Sequence, residues 1–529
     1  MSGRVTVPRP TIDPDTLTMA AVRDGRLRGA PVTVLGLARS GVALARFLAD
    51  AGAQVTVYDG RPAGDLAEAI DALEGRDVAL ALGPAVDPST AWDDALLVTT
   101  SPSINPDYPT TEPRLRGALA ALVDARAGGD LTVPAIVSEP DLFLRLCEAP
   151  VIGVTGTKGK TTTASLTAAI LAADAAHPVV LGGNIGIPLL ERLAELTPDH
   201  RVVYELSELQ LPTLSRGTTV AVYTNVTSDH LDRHGTLEAY RAVKRRLAEL
   251  VPADGALVLN AEDPVVAAYA DIGPAPAVRY RRDRPLPGGL GVVDSWIVAA
   301  DVILLPLAGG GTVRTGMVGR IMPVIELAIP GAHNVSNTLA AVAVGLLFGV
   351  APDAIRQAAA VFTGVEHRLE PVAVIDGVRF VNDSQGTQPD AVIAALRAFE
   401  APVVLIAGGR DKGVDLDELA GVVAERAAGA VVIGETGPDL ERRFRAAGLQ
   451  RVERAGSMDD AVARADGLAR DALKEREGDA PATVLLSPAA ASFDMFADYA
   501  ARGRAFKSAV AALAAKADKA ANADTRRDR

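Results

Sequence analysis

The feature that most constrains the fold is an apolar run that ends in a turn rich in glycine and lysine. Residues 150–156, PVIGVTG, have the composition of a short strand, and residues 157–173, TKGKTTTASLTAAILAA, have that of a helix. In such a setting, backbone N–H groups point at phosphate oxygens, Lys160 lies near the β- and γ-phosphates, and the Thr161 hydroxyl can bind Mg²⁺. The sequence therefore predicts a phosphate-binding loop in an α/β fold.

The spacing within this loop departs from the general pattern G-x-x-x-x-G-K-[ST]. Counting back from Gly159, Val154 stands where the first glycine should be, and Gly153 comes one residue early. The prediction rests instead on the run Gly-Thr-Lys-Gly-Lys-Thr between a strand and a helix. The alternative is a glycine-rich turn with incidental lysines, which is disfavoured because residue types and setting both agree with phosphate chemistry.

A second glycine turn, GLARSG at residues 36–41, also follows a predicted strand and begins a predicted helix. Asp59 ends the next strand, where dinucleotide-binding proteins carry the acid that binds ribose. Ala38, however, replaces the middle glycine that normally lets the backbone approach a pyrophosphate. The turn is therefore structural, binds NAD, or binds a different ligand that contains a nucleotide.

The length of 529 residues suggests about three domains, at roughly 100–200 residues each. Strands alternate with helical segments along most of the chain, which indicates parallel βαβ units. We expect an N-terminal Rossmann-like domain, a central ATPase-like domain with a mixed sheet, and a C-terminal Rossmann-like, doubly wound domain. Their predicted limits are 1–137 with a loose arm at 1–29, 138–364, and 365–515, followed by a disordered or frayed helical tail at 516–529.

Composition narrows the classes of function and the compartment. The net charge of -13 argues against nucleic-acid binding, which needs a basic surface. A single cysteine, Cys147, and an N-terminus without an apolar signal region together predict a cytoplasmic protein. The least polar stretch, Leu339 to Ala351, is shorter than the about 20 residues that span a bilayer. We therefore expect it to be a buried helix, with no membrane insertion.

Two acidic sites near predicted strand ends could bind a cation. Asp229 and His230 lie in the segment NVTSDHLDRHG, which follows the predicted strand AVYT and precedes Tyr240 and Lys244, and Glu205 ends the strand VVYE. Carboxylate oxygens are the ligands that Mg²⁺ prefers. Taken alone, an Asp-His pair is more often a turn capped by its own side chains, and a strand-end glutamate is usually just solvated.

Three loops of the last predicted domain end strand-like runs, at residues 383–387, 408–412 and 487–492. In open α/β sheets, ligands bind outside the carboxyl ends of the strands. Each loop alone is an ordinary turn, but three such loops with Lys412 among them predict an anion site.

Taken together, the motifs resemble those of the Mur ligases over residues 31–510. The sequences that carry the resemblance are GVTGTKGKTTT, GGNIGIP, YELSELQL, NVTSDHLDRHGTLEAYRAVK, GAHNVSNTLAA, EHRLE, NDSQGTQPDA, GGRDKG and LLSPAAASFDMF. Within the family, the chain is most similar to the members that join D-glutamate to UDP-N-acetylmuramoyl-L-alanine. The resemblance implies a monomer that uses ATP and two Mg²⁺ ions to activate the substrate carboxylate as an acyl phosphate.

The resemblance also implies roles for individual residues. Its catalytic set is Lys160, Glu205, His230 and Lys244, and the metal ligands are Thr161, Glu205, His230 and Lys244, with Lys244 matching a lysine that is carbamylated in the family. The implied ATP contacts are Gly156, Thr157, Lys158, Gly159, Lys160, Thr161, Thr162, Asn334, Asn337, Arg368 and Asp383. The implied contacts to the UDP-linked substrate are Arg39, Ser40, Asp59, Arg61 and Asn184, and those to glutamate are Thr387, Lys412, Ser492 and Tyr499.

The chain departs from the family pattern at several of these positions. Gln385 stands where the family usually has lysine, which removes a cation near the glutamate carboxylates. The other departures are Tyr499 for Phe, Ala490 for Cys, and Glu208 with Leu209 for Ser-Phe. Three alternatives stay open: ligation of L-glutamate, another Mur or folylpolyglutamate-type ligase, and an inactive nucleotide-binding protein.

Overall fold

A computed structural model describes residues 11–227, 234–300, 319–329, 331–411, 415–475 and 481–527 of the chain, without the side chains of 390 and 518–527. The chain divides into two compact units, Met1–Phe362 and Thr363–Arg529. The first unit contains two sheets and the second contains one. The predicted α/β fold with three sheet-based domains is confirmed, whereas the exact limits proposed for the domains stay predictions.

The first sheet has five parallel strands in the order β3-β2-β1-β4-β5. Its strands are β1 (Pro31–Leu35), β2 (Gln54–Asp59), β3 (Val78–Leu82), β4 (Leu97–Thr100) and β5 (Ala135–Ser138). Its helices are α1 (Met19–Arg23), α2 (Arg39–Asp50), α3 (Ala67–Asp71) and α4 (Pro113–Ala127), with 3₁₀ turns Pro14–Thr16, Ala63–Leu66 and Pro88–Trp92. The order reverses beside β1, so the turn after β1 opens at the crevice where such sheets bind ligands.

The N-terminal arm is packed from residue 11 onward, so the expectation of a loose arm is wrong for residues 11–29. The Ile12 amide donates to Leu96 O at 2.9 Å, which ties the arm to the start of β4. Ile12, Leu17 and Leu27 are buried in the same apolar core as β1. These apolar side chains are spaced irregularly, which is why the sequence pattern did not show the packing. Residues 1–10 lie outside the described part.

The central sheet is mixed and has nine strands, in the order β14-β13-β12-β11-β10-β9-β6-β8-β7. Its strands are β6 (Val151–Thr155), β7 (Val179–Gly183), β8 (Arg201–Glu205), β9 (Val220–Tyr223), β10 (Ala256–Asn260), β11 (Ala277–Tyr280), β12 (Gly289–Val293), β13 (Trp296–Ala300) and β14 (Gly319–Pro323). Pairing is parallel from β7 to β12 and antiparallel from β12 to β14. This sheet confirms the prediction of a mixed central sheet that contains the phosphate loop.

Helices on both faces cover the central strands, which are apolar along most of their length because both faces are buried. They are α5 (Glu139–Leu146), α6 (Lys160–Ala172), α7 (Leu237–Leu250), α8 (Pro264–Ala267), α9 (Ala332–Leu347) and α10 (Pro352–Val361), with 3₁₀ helices Leu189–Glu195, Leu211–Thr213, Ala268–Asp271 and Val324–Glu326. α9 confirms the prediction of a buried helix, since every residue from Asn337 to Leu347 is buried. None of the helices described for this chain is long and apolar enough to cross a membrane.

The third sheet, in the second unit, has six strands in the order β15-β16-β20-β17-β18-β19. Its strands are β15 (Glu370–Ile375), β16 (Val378–Asn382), β17 (Val403–Gly408), β18 (Ala427–Ile433), β19 (Val452–Arg454) and β20 (Ala482–Leu486). Only the edge strand β15 is antiparallel to its neighbour. The helices are α11 (Pro389–Ala398), α12 (Asp417–Arg426), α13 (Gly437–Ala446), α14 (Met458–Lys474) and α15 (Tyr499–Arg527).

The last helix, α15, extends to Arg527 and so covers most of residues 516–529. Of the two alternatives for this tail, the structure shows the helix, and the prediction of disorder is wrong up to Arg527. The helix begins in the apolar core of the second unit, where Phe506 and Val510 are fully buried. Its later residues are rich in alanine, which has the highest helix propensity, and they prolong a helix that packing has already nucleated.

Candidate active site

The loop between β6 and α6 takes a backbone path that only glycine can follow easily. Gly156 has φ 145° and Gly159 has φ 85°. A Cβ at Gly156 would lie 2.0 Å from Thr224 Oγ1, and one at Gly159 would lie 2.5 Å from Asn337 Oδ1. α6 begins at the second of these glycines without a side-chain cap, which leaves its first N–H groups for a ligand.

The loop is held in place by the end of the neighbouring strand β9. The amide of Thr157 donates to Asn225 O at 2.8 Å. The Lys158 amide donates to Asn225 Oδ1 at 2.9 Å, and Asn225 Nδ2 donates back to Lys158 O at 2.9 Å. Thr224 Oγ1 donates to the same carbonyl at 2.6 Å. Asn225 therefore holds the loop in place. The sequence did not reveal this role, although Asn225 is the first residue of the segment NVTSDHLDRHG.

Two lysines converge on the start of the loop. Lys160 Nζ donates to Gly156 O at 3.0 Å and to Thr157 O at 2.9 Å. Lys244, on α7, is completely buried and donates to Gly156 O at 3.1 Å and to Thr155 Oγ1 at 3.3 Å. The sequence predicted both lysines as site residues, and the structure brings them to one carbonyl. A fully buried lysine is rare in proteins, which favours a specific role for Lys244.

Tyr240 joins α7 to the loop. Its hydroxyl lies 3.0 Å from Thr157 Oγ1, and Lys244 Nζ lies 5.6 Å from the centre of its ring. The Thr227 amide donates to the same Thr157 oxygen at 3.0 Å. Thr157 is therefore held from two sides, which fixes the side chain at the middle of the loop.

Glu205 ends β8, directly beside β6, and is buried. Its Oε1 accepts from Asn184 Nδ2 at 2.9 Å, and its Oε2 has no hydrogen-bond partner within the described ranges. An open, buried carboxylate oxygen is costly unless a ligand completes it, so the residue fits a cation site. Thr161, the second residue of α6, is also buried. No three His, Cys, Asp or Glu residues of the described chain group closely enough to hold a metal ion.

His230 lies outside the described residues, as does Asp229, so the third predicted metal ligand has no position to report. Asn334 and Asn337 lie on the first turns of α9, and Asn337 Nδ2 donates to Asn334 Oδ1 at 3.1 Å. Because Asn337 also contacts Gly159, the structure places this asparagine pair beside the phosphate loop, as the sequence predicted.

A cavity of about 540 Å³ opens beside the loop. The sequence predicted three of its lining residues as nucleotide contacts, namely Lys158, Gly159 and Asn337. It missed others that come from separate elements, including Asn260, Glu262, Asp263, Arg282, His333 and Ser336. For Asn260, Glu262 and Asp263, the sequence signal was the acidic loop at the end of β10, the strand ALVLN, which lies beside β9 in the sheet. The volume of this cavity lies within the usual range for sites that bind small molecules.

The first glycine turn is built around Asp59. The Leu37 amide donates to Asp59 Oδ2 at 2.8 Å, and Arg61 donates to the two carboxylate oxygens at 3.0 and 2.8 Å. Burial alone would raise the pKa of Asp59, but these hydrogen bonds and the charge of Arg61 lower it below the ordinary value. Arg39 and Ser40 begin α2 at the same turn. Four of the five residues predicted for the UDP-linked substrate therefore lie together.

The fifth predicted residue, Asn184, connects this turn to the phosphate loop. It follows β7, its amide donates to Glu205 O at 3.0 Å, and its side chain binds the Glu205 carboxylate. The loop that carries it is bound by Arg39, whose Nη1 donates to Gly186 O at 2.7 Å. One short segment thus contacts both the candidate metal ligand and the first glycine turn.

In the second unit, the predicted ATP contacts Arg368 and Asp383 lie close together. Asp383 follows β16 and accepts from Ser487 Oγ at 2.6 Å and from the Leu369 amide at 3.2 Å. Burial raises the pKa of Asp383 to about 6, although these hydrogen bonds and the charge of Arg368 oppose the shift. A cation or a further hydrogen-bond donor beside Asp383 would favour its ionised form.

The three loops predicted as an anion site meet at the carboxyl end of the third sheet. The Ala489 amide donates to Gly386 O at 2.9 Å, and the Arg410 amide donates to Ala491 O at 2.9 Å. Three of the four predicted glutamate residues lie in or beside these loops: Thr387, Ser492 and Tyr499. The fourth, Lys412, lies outside the described residues.

A buried arginine that the sequence did not predict fastens these loops. Arg502 on α15 donates through Nε to Ser384 Oγ at 3.0 Å, through Nη2 to Ser384 O at 2.9 Å, and through Nη1 to Ala490 O at 3.2 Å. Burial lowers the pKa of Arg502 to about 10, with Asp494 opposing the shift. The residue stands over 100 positions from Ser384, so no local pattern could link them.

Comparison with known proteins agrees with this geometry. Residues 154–345 match the Mur ligase middle domain, and residues 367–490 match the glutamate ligase domain of Mur ligases. The chain belongs to the Mur ligase family. The family predicted from the motifs is thereby confirmed.

Several relatives are similar over nearly their whole length. A UDP-N-acetylmuramoylalanine–D-glutamate ligase of Symbiobacterium thermophilum is 41% identical, over 91% of this chain and 97% of the relative. The enzyme of the same name from Pelotomaculum thermopropionicum is 39% identical over the same shares. Among solved structures, the UDP-N-acetylmuramate-alanine ligase MurC of Thermotoga maritima has 18% identity and a TM-score of 0.48, over 91% of this chain and 99% of that chain.

Proposed function

We propose that the chain is an ATP-dependent ligase that joins D-glutamate to UDP-N-acetylmuramoyl-L-alanine during the synthesis of peptidoglycan precursors. The observation that carries the proposal is the convergence of Lys160 and Lys244 on one phosphate loop, with Glu205 at the end of the adjacent strand, in a chain that covers 97% of a relative bearing that name. The same convergence supports ATP as the phosphate donor.

The reaction follows from the charges around the loop. The alanyl carboxylate attacks the γ-phosphorus of ATP, the bond to the bridging oxygen breaks, and ADP leaves behind an acyl phosphate. The unprotonated amine of glutamate then attacks the acyl carbon, and inorganic phosphate leaves as the amide forms. Lys160 and the first amides of α6 offset the negative charge that collects on the transferred phosphoryl group.

Two Mg²⁺ ions complete the proposal. Thr161 would hold one of them with the ATP phosphates, and Glu205 with His230 would hold the other. The open Glu205 Oε2 supports this assignment, because a carboxylate oxygen at a metal site needs no protein donor. Mg²⁺ held by these residues would supply positive charge that offsets the negative charge of the phosphate oxygens.

We include in the proposal a carbamate on Lys244, whose added carboxylate would contact the second metal. The support is the complete burial of this lysine beside Gly156 and Thr155. Lys244→Ala should lose at least about 100-fold in turnover and regain part of it when a short carboxylic acid such as acetate or formate is added. Lys160→Ala, assayed alongside, should gain nothing from the acid, and an unrescued Lys244→Ala would argue against the carbamate.

The amino-acid site of the proposal comprises Thr387, Lys412, Ser492 and Tyr499. Gln385 lies in the same loop, and its Nε2 donates to Glu366 O at 3.3 Å. The loop thus presents a neutral amide where most of the family carries a cation, and Lys412 would be the main positive charge toward the glutamate carboxylates. This observation keeps L-glutamate ligation as the second candidate function. A monomeric, cytoplasmic enzyme remains our expectation.

The proposal is tested by phosphate release from ATP with UDP-N-acetylmuramoyl-L-alanine and each glutamate enantiomer. We expect release that requires the sugar nucleotide and D-glutamate together. A preference for L-glutamate would establish the second candidate. Absence of release with both enantiomers, in protein that binds ATP, would leave a nucleotide-binding protein without this activity.

A further inference from the structure

Glu139, the first residue of α5, is a buried carboxyl that no part of the proposed mechanism uses. Its side chain is 2% exposed, and its Oε1 has no hydrogen-bond partner among the residues described. A carboxyl with an open oxygen in an apolar core lowers the stability of the fold, because the lost hydration is not replaced. Stability therefore does not account for a glutamate at this position.

The surroundings of Glu139 come from four other elements. α5 packs against α2, against β5, against the 3₁₀ helix Leu189–Glu195 and, through Phe143 on Tyr204, against β8. The charged and titratable groups that face the carboxyl from these elements are Arg39, Glu191 and Tyr204. Burial raises the pKa of Glu139 to about 7, the Leu190 amide and Arg39 oppose the shift, and Glu191 adds to it.

The same neighbours hold the segment from Gly183 to Leu190, which carries Asn184. The Gly183 amide donates to Ile187 O at 3.2 Å, so the segment closes on itself. Arg39 binds its apex through Gly186 O, and Glu139 accepts from the Leu190 amide at its far end. Arg39 and Glu139 therefore both bind this loop, and the charge of Arg39 also acts on the Glu139 carboxyl.

We propose that Glu139 is a positioning residue for the sugar nucleotide: it fixes the 183–190 segment and takes up a proton when the anionic substrate engages Arg39. The inference rests on the proposed function, because it takes Arg39 to contact the UDP-linked substrate. Arg39 is the cation that stabilises the ionised form of Glu139. When phosphate oxygens of the substrate also bind Arg39, the arginine stabilises the ionised Glu139 less, so the protonated form of Glu139 is favoured.

Linkage gives the sign of the pH effect. If binding adds a proton to Glu139, affinity is highest where the group is already neutral and falls as pH rises through about 7. A coupling of about one pKa unit corresponds to a tenfold change in affinity at most. We therefore expect the Kd of UDP-N-acetylmuramoyl-L-alanine to rise about threefold to tenfold between pH 6 and pH 8.5.

The test is calorimetric titration of the full-length protein with UDP-N-acetylmuramoyl-L-alanine at pH 7, in buffers of different ionisation enthalpy. The diphosphate diester and the alanyl carboxylate do not titrate near this pH, so a buffer-dependent heat measures protons bound by the protein. We expect uptake of a fraction of a proton in the wild type and a clear reduction in Glu139→Gln. Glu195→Gln, a matched change of an exposed glutamate on the adjacent 3₁₀ helix, should behave as the wild type.

A second measurement separates positioning from general disruption. Glu139→Ala should raise KM for the sugar nucleotide about tenfold, with kcat and the KM for ATP little changed, and Glu139→Gln should restore most of the loss. Equal proton uptake in the wild type and Glu139→Gln would overturn the inference. If the wild type does not bind the sugar nucleotide at all, it is the proposed function that fails.

Discussion

Two strand–turn–helix segments of the first unit, residues 31–50 and 151–172, have the same order of elements but differ in the charged groups that contact the turn. Both turns contain a glycine at φ 85°, Gly36 in the first and Gly159 in the second, and both helices begin without a side-chain cap. In the first turn, the Asp59 carboxylate accepts a hydrogen bond from the Leu37 amide of the turn. In the second, lysines approach from α6 and α7.

The geometry of the turn alone therefore does not define the ligand. An N-terminal helix end favours anions in both segments. In the first turn, Asp59 accepts from an amide of the turn and pairs with Arg61, whereas in the second turn Lys160 and Lys244 donate to the loop itself, where we expect the triphosphate. The charges next to each turn, and not its glycine spacing, distinguish the two sites.

Lys160→Ala should produce the largest effect, because it removes a cation that donates to the phosphate loop. We expect kcat to fall by about 10²–10³-fold, the size of loss seen when one donor to developing charge is removed. KM for the sugar nucleotide should stay within about twofold, and the melting temperature should be unchanged. Steady-state phosphate release and thermal unfolding measure these quantities, and undiminished turnover would contradict the role of Lys160.

Gly41→Ala probes how closely the first helix approaches its turn. A Cβ at Gly41 would lie 1.8 Å from Gly36 O, whereas α6 carries Thr162 at the equivalent third position. The helix must move for alanine to fit, so we expect a loss of roughly 2–4 kcal/mol in the free energy of unfolding. Denaturant titration measures it. Gly64→Ala, where no atom lies within 4 Å, is the matched control and should be nearly neutral.

Glu139→Gln should stabilise the protein in a pH-dependent way. The pKa of Glu139 is raised from 4.5 to about 7, so the wild type loses stability as pH rises between these values and the variant does not. The difference should reach roughly 2–3 kcal/mol at pH 8 and vanish at pH 4.5. Unfolding by urea at several pH values checks this, and a pH-independent difference would show that the carboxyl does not titrate in the native protein.

Asp59→Asn should have the smallest effect on turnover and act mainly on the first turn. We expect KM for the sugar nucleotide to rise about tenfold with kcat nearly unchanged. The pKa of Asp59 is lowered, so its ion pair with Arg61 contributes stability above pH 3.8 that is lost as pH falls further. The variant should therefore be destabilised by about 1 kcal/mol at pH 7. An equal rise in the KM for ATP would show that Asp59 does not act on the first turn alone.

The sequence predicted the parts of the site that depend on short-range order. The phosphate loop, Lys160, Thr161 and the Asp59 turn lie within local strand–turn–helix patterns, and the motif series added Glu205 and Lys244 from further along the chain. The three loops of the last domain were also expected to meet, and they do. Their shared position at strand ends follows from parallel topology, which the alternation of strands and helices already indicates.

The rest depends on contacts between distant segments. Arg502 reaches Ser384 across 118 positions, and Asn225 reaches Lys158 across 67, so neither is visible as a local pattern. The packing of the arm through Ile12 on Leu96 is equally non-local. The sequence did not single out Glu139, because an acidic residue in the first turn of a helix is common. Its raised pKa results from burial in the folded protein.

Transfer of an isotope from substrate to phosphate shows whether ATP activates the carboxylate at the Lys160 loop. UDP-N-acetylmuramoyl-L-alanine labelled with ¹⁸O in both oxygens of its alanyl carboxylate is turned over with ATP and D-glutamate, and the released phosphate is analysed by mass spectrometry. In an acyl phosphate, one labelled carboxylate oxygen bridges the acyl carbon and the phosphorus. When the amine attacks, the bond from the acyl carbon to this bridging oxygen breaks, so each released phosphate should contain one ¹⁸O atom. Phosphate released without ¹⁸O would contradict the account.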